Sequence, residues 1–198
     1  KRSEMTSEEA LRFARWAEEF GDGTVVFTSR QNIIFRGVPD GKVSGLRLAL
    51  KEAGYLIEGF EHVPDMVSCV GTTVCNLAVS DTPNTYRKLM QDLAEEEAWW
   101  RSIGPIRINM NGCPNSCGQH AIADIGLRGL RKRTAHGSEE GYSIFVGGSF
   151  AGEGHVSEFV CDVTAPHVSA TLRKLLDIYL GKRNSPDEFF SAFARRVT

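Results

Sequence analysis

Two cysteine pairs place the strongest constraint on this chain. Cys69 and Cys75 bracket Val70-Gly71-Thr72-Thr73-Val74, and Cys113 and Cys117 bracket Pro114-Asn115-Ser116. Four of the five cysteines in 198 residues therefore lie in two short, glycine-bearing segments. A fold that uses them together must bring two distant loops to one place. Four converging thiolates are a ligand set for a metal ion or an iron–sulfur cluster.

Three uses of these thiols compete. A structural zinc site places about two to four residues between the members of each pair, a pattern that gaps of five and three fit poorly. A disulfide framework sits badly with an odd cysteine count and with a chain long enough to bury its own core. A cluster is a wider object and suits longer loops, and Gly71, Gly112 and Gly118 allow backbone to approach its sulfurs. The spacing favours the cluster over zinc. Cys161, far away in Phe159-Val160-Cys161-Asp162-Val163, reads as a small buried hydrophobe.

Composition limits the remaining classes. Hydrophobic residues make up 41%, charged residues 24%, and the net charge is −2, as in ordinary globular chains. No apolar run is long enough for a transmembrane helix, and the charge gives no whole-chain reason to expect nucleic acid. Glu95-Glu96-Glu97 and Arg131-Lys132-Arg133 read as solvated faces. Reduced thiols point to the cytoplasm or another reducing compartment. The first residue is Lys1 rather than Met, so a truncated chain with a leader or an upstream domain before it is expected.

Read in order, residues 1–20 predict a helix with Thr6 and Glu9 as a capping box, ended by Gly21 and Gly23. Thr24–Thr28 and Ile33–Arg36 predict strands around a polar turn. Val43 to Ala53 predicts a helix closed by Gly54. Residues 60–68 read as a linker and Asn84–Trp100 as one helix. Strands are expected at Ile106–Met110, Ala121–Leu130 and Tyr142–Val146, with a polar turn region at 131–141 and irregular chain at 149–162. A helix follows at Pro166–Leu180, and a last one starts at Ser185-Pro186. The whole reads as α+β.

At this point the residues carry a resemblance. The Cys69–Cys75 pair, Asn111-Gly112-Cys113-Pro114-Asn115-Ser116-Cys117-Gly118-Gln119-His120 and Ile122-Ala123-Asp124-Ile125-Gly126 together resemble the sirohaem and [4Fe–4S] nitrite/sulfite reductase family, in its carboxy-terminal half. Phe27-Thr28-Ser29-Arg30-Gln31-Asn32-Ile33 is similar to the Arg-Gln-Asn signature of the family's ferredoxin-like half-domain, and Gly147-Gly148 and Glu188–Phe193 match in position.

The resemblance implies a small ferredoxin-like half-domain over residues 1–62, then a larger mixed α/β sheet domain over 63–198 that carries the cluster loops. It implies that Cys69, Cys75, Cys113 and Cys117 hold a [4Fe–4S] cluster, and that Cys117 also ligates the sirohaem iron. Asn115 becomes a candidate sirohaem contact or a turn residue, and Arg30 a partner for a sirohaem carboxylate or a surface arginine. Arg36 and Arg107 are further candidates. His120 either lines the pocket or is a hydrogen-bonded structural residue.

The activity implied is the six-electron reduction of nitrite to ammonia or of sulfite to sulfide. Ferredoxin stands ahead of a flavoprotein as electron donor. The arginines and lysines that hold the anion in the family belong to an amino-terminal half with no counterpart in these residues, so that half or a second copy is expected to supply them. Two alternatives remain at this point: a precorrin-3B synthase-like oxygenase of cobalamin synthesis, and a non-catalytic iron–sulfur electron-transfer subunit.

Overall fold

A reciprocal cap starts the first helix. Thr6 Oγ1 accepts the Glu9 N–H while the Glu9 carboxylate accepts the Thr6 N–H, so α1 (Ser7–Phe20) begins with two otherwise unpaired donors satisfied. The computed structural model describes residues 4–135, 137–150 and 154–198. It divides into one unit that ends at Phe60 and another that runs Glu61–Thr198.

The first unit pairs β1 (Val25–Phe27) antiparallel with β2 (Ile33–Phe35) and adds α2 (Asp40–Glu52). Its small core is aromatic. Phe13 packs edge-on to Phe35 at 6.1 Å and against Tyr55 at 5.0 Å. The turn between the strands is closed by Asn32 donating to Thr28 Oγ1 at 3.0 Å, with Gln31 in the left-handed region.

In the second unit a five-stranded sheet has the order β3 (Val67–Ser68), β4 (Ile108–Asn111), β5 (Ile125–Thr134), β6 (Gly137–Val146), β7 (Glu158–Thr164). The first three strands are parallel and the last two antiparallel to their neighbours. Alternation along the strands separates two faces. Ile108, Met110, Ile125, Leu127, Tyr142, Ile144 and Val146 enter one core with residues of α3 (Thr82–Leu93), α4 (Glu97–Ile103), α5 (Val168–Lys182) and α6 (Phe190–Val197). On α5 the buried Val168, Leu172, Leu176 and Tyr179 recur every three to four residues, a single helical stripe. Full burial of each such side chain stabilises by roughly 1.5–3 kcal/mol. The other sheet face carries Asn109, Asn111, Arg128, Ser143 and Phe145.

Several expectations need correction. The stretch 60–68 is no linker: Val63 and Met66 are fully buried and Val67–Ser68 forms β3. Its apolar residues fill the core without a visible period because a short turn and a two-residue strand share them. The single helix over Asn84–Trp100 is two. Asp81 caps α3 by accepting the Asn84 N–H, and the chain breaks before α4, where Trp100 Nε1 donates to Ala94 O at 3.1 Å.

The polar region 131–141 is the far end of the β5–β6 hairpin, paired from Ile125↔Val146 to Thr134↔Gly137. It reads as a turn because both faces reach solvent there, and Arg131 and Lys132 stand opposite Glu140 and Glu139. Within 149–162, residues 151–153 lie outside the described residues, and the edge strand β7 begins at Glu158. Strand β5 begins at Ile125 rather than Ala121. The last helix starts at Phe190, since Glu188 donates to Ser185 O and its carboxylate accepts from Asn184 N and Arg196.

Tyr142 offers a test of the core. Its hydroxyl is fully buried and lies 2.9 Å from Thr85 Oγ1, and burial holds the phenol well above its usual range. The folded form therefore keeps its proton where the unfolded chain, with a pKa near about 10, does not. This contribution is fully present below about pH 10 and declines as pH rises, with a slope approaching ~1.4 kcal/mol per pH unit. Tyr142→Phe is expected to cost about 1 kcal/mol at neutral pH and to remove that slope. Urea midpoints of both proteins between about pH 8 and pH 11 check both effects.

Candidate functional site

Strands β3 and β4 are parallel neighbours in the register Ser68↔Met110, and Cys69 extends the pairing by donating its N–H to Met110 O at 3.1 Å. Both cysteine segments thus leave the same end of the sheet. They meet backbone to backbone. A Cβ on Gly112 would lie 3.2 Å from Gly71 Cα and 2.8 Å from Ser80 O, and one on Gly71, at φ +55°, would lie 2.6 Å from Thr82 N. Only glycine permits that approach.

The first loop closes on itself and on the second. Cys75 donates to Gly71 O at 3.0 Å, Ala78 to Cys75 O at 3.2 Å, and Val79 to Gly112 O at 2.8 Å. The Cys69 sulfur accepts the Gly112 N–H at 3.1 Å and the Gly71 N–H at 3.4 Å. Thr82 Oγ1 lies 3.4 Å from the same sulfur while donating to Cys69 O. Hydrogen bonds to ligand sulfurs are one means by which a protein tunes an iron–sulfur cluster.

The second loop is pinned from the sheet. Asn111 Oδ1 accepts the Gly118 N–H, and Asn109 Nδ2 donates to Gln119 O at 3.3 Å. Asn111 Nδ2, itself buried, has no hydrogen-bond partner among the described residues. Ser116, in the left-handed region, places its Oγ 2.9 Å from His120 Nδ1. Burial and the Arg128 cation push the His120 imidazole below its usual range, so it is neutral at neutral pH.

All five thiols are free: Cys113 is buried, Cys69, Cys75 and Cys161 are half-buried, and Cys117 is exposed. Among the described residues no three His, Cys, Asp or Glu side chains gather closely enough to hold one metal ion. A cluster asks for a different arrangement, because each thiolate binds its own iron and the sulfurs stand apart around a wider body. Reduced thiols on two interlocked loops, with amides directed at one sulfur, fit such a body.

The other candidates sort plainly. His120 is the hydrogen-bonded, buried residue at the base of the second loop. Asn115 is exposed and makes no side-chain hydrogen bond among the described residues, so no Asx turn occupies it. Arg107 pairs with Glu61 at 2.8 Å and donates its backbone N–H to Asp124. Arg36 is exposed, and half-buried Arg30 lies in the β1–β2 turn of the first unit. Cys161 packs against the helix-covered core, and burial pushes its thiol up. Arg128 lies outside the motifs that the sequence singles out. The signal available was the alternation in Ile125–Leu130, which sets Arg128 on the face opposite Ile125 and Leu127.

Two cysteine loops in backbone contact lie at one end of a mixed sheet. Residues 61–188 match the family model of the nitrite and sulphite reductase 4Fe-4S domain, and residues 3–53 that of the nitrite/sulfite reductase ferredoxin-like half domain. The chain belongs to the nitrite and sulfite reductase family. Membership carries a [4Fe–4S] cluster and sirohaem as cofactors.

A ferredoxin–nitrite reductase of Synechococcus elongatus is 35% identical over 178 residues, covering 87% of this chain and 33% of the relative. The fold resembles that of the Mycobacterium tuberculosis NirA protein, with TM-score 0.76 and 23% identity over 88% of this chain and 33% of that one. It also resembles dissimilatory sulfite reductase I, with TM-score 0.80 and 15% identity over 98% of this chain and 64% of that one. The chain spans about a third of the length of the ferredoxin–nitrite reductases it matches. No helix among the described residues is long and apolar enough to cross a membrane.

Proposed function

We propose that this chain is the electron-delivering part of an assimilatory nitrite reductase, with Cys69, Cys75, Cys113 and Cys117 as cluster ligands and Cys117 shared with the sirohaem iron. The observation that carries the reading is the contact of the Gly71 and Gly112 segments, which sets both cysteine loops at one sheet end with amides on Cys69 Sγ. When bound, the cluster and sirohaem store electrons and hold the oxyanion while it is reduced.

The chain's own residues prepare that site. The amides of Gly71 and Gly112 point at the Cys69 sulfur and fix its position for iron. Asn111 and His120 fix both ends of the Ser116–Gly118 segment, so Cys117 is presented outward at a set position. That exposure suits the one cysteine assigned two partners, and Asn115 beside it is open for a polar contact with the macrocycle. Arg30 is proposed for a sirohaem carboxylate. Ferredoxin–nitrite reductases among the relatives favour nitrite over sulfite and ferredoxin over a flavoprotein. They favour neither the precorrin oxygenase nor the non-catalytic subunit. Free thiols suit a reducing compartment, and the cytoplasm is the proposed location.

Reduced methyl viologen, supplied with nitrite or sulfite to the longest natural protein carrying this chain, tests the reading. Ammonia from nitrite at a rate at least about tenfold above sulfide from sulfite is expected, a preference of ~1.4 kcal/mol in the barrier. Turnover of neither anion by sirohaem-loaded protein contradicts it.

A further inference from the structure

The cysteine loops do not use every group on their side of the sheet. Arg128 stands beside Asn111 in the β4–β5 register, on the face opposite the helix-covered core. Its guanidinium lies 4.8 Å from the Phe145 ring centroid. The same ring lies 5.2 Å from the His120 ring and 5.8 Å, edge to face, from Phe159. His120 holds Ser116, the residue before Cys117, and Asn111 holds Gly118, the residue after it. Arg128 and Cys117 are therefore tied to the same few side chains.

Every other arginine with a ring beneath it in the second unit is also committed to a polar partner. Arg101 pairs with Glu97, Arg107 with Glu61, Arg173 with Glu96 and Asp177, and Arg196 with Glu188, while Arg183 donates to Ser102 O. Arg128 makes no hydrogen bond or ion pair among the described residues, although it is half-buried. Its guanidinium fork is held by the ring below and has its donors unspent. Phe159, 56% exposed, extends the shelf outward.

A half-buried guanidinium with spare donors, on an aromatic shelf that shares His120 with the Cys117 loop, matches a flat macrocycle with acidic edges. Sirohaem has both properties, and a bidentate arginine is the natural partner of a carboxylate. We propose that Arg128 binds a peripheral carboxylate of the sirohaem, with Phe145 and Phe159 supporting that edge of the ring. The proposal rests on the reading that Cys117 carries the haem.

The test compares wild type, Arg128→Gln and Arg128→Lys in the anaerobically purified protein with its cluster intact, by titrating sirohaem and following its absorption. Arg128→Gln is expected to keep the iron and labile sulfide of the cluster and to bind sirohaem about tenfold or more weakly, the size of a lost charge-assisted pair. Arg128→Lys is expected to recover part of that affinity and to show a steeper loss with salt, as a point charge without the fork would. Wild-type affinity in Arg128→Gln overturns the proposal. Should the glutamine variant fail to fold, wild-type affinity and salt dependence in Arg128→Lys overturn it. A wild-type protein that binds no sirohaem overturns the haem reading instead, so the two failures are distinct.

Discussion

Gly112→Ala is expected to reduce cluster iron and labile sulfide to below about a tenth of wild type. The added Cβ would meet Ser80 O at 2.8 Å and Gly71 Cα at 3.2 Å, both backbone atoms that no rotamer change can clear. The loops must part, at a strain of about 1–3 kcal/mol, and the Gly112 N–H that reaches the Cys69 sulfur moves with them. Gly181→Ala is the control. It lies near the end of α5 with nothing within 4 Å of its Cβ position, so it is expected to keep the full cluster and gain about 0.5–1 kcal/mol. Full cluster content in Gly112→Ala would show that loop contact is dispensable.

Cys117→Ser is expected to lower sirohaem occupancy by at least tenfold and to remove cluster iron. Because Cys117 is exposed, serine changes folding stability within about ±0.5 kcal/mol, and the loss reports ligation alone. Cys113→Ser also loses cluster iron on the same assignment. Its sulfur is buried, so packing contributes there as well. Cys161→Ser, whose sulfur faces the helix-covered core rather than the loops, is expected to keep both cofactors. Iron, sulfide and pigment analysis of the three variants separates these outcomes, and sirohaem retained by Cys117→Ser would remove that residue from the haem.

What the chain reveals before folding follows from where its information is local. The capping box at Thr6 and Glu9, the closing Gly54 and the strand into Cys113 depend on neighbours in sequence, and all are present in the structure. The β5–β6 hairpin tip was hidden because its polar residues reach solvent on both faces, with no core to mark one of them. The cysteine spacing raises the expectation of a shared ligand set. It could not announce that Gly71 touches Gly112, since that contact needs β3 and β4 in parallel register. Arg128 was hidden for a related reason: an isolated arginine in a strand gains meaning only once Phe145 lies under it and Asn111 stands beside it in register.

The most direct test of the four-cysteine centre is Mössbauer spectroscopy of the 57Fe-enriched protein, purified anaerobically with its cofactors. With Cys117 joining the two groups, the spectrum is predicted to show a four-iron cluster whose irons share the magnetism of the oxidised haem. A cluster spectrum with no trace of the haem spin would contradict the shared thiolate. Absence of a cluster signal, with zinc bound in its place, would contradict the assignment of all four cysteines.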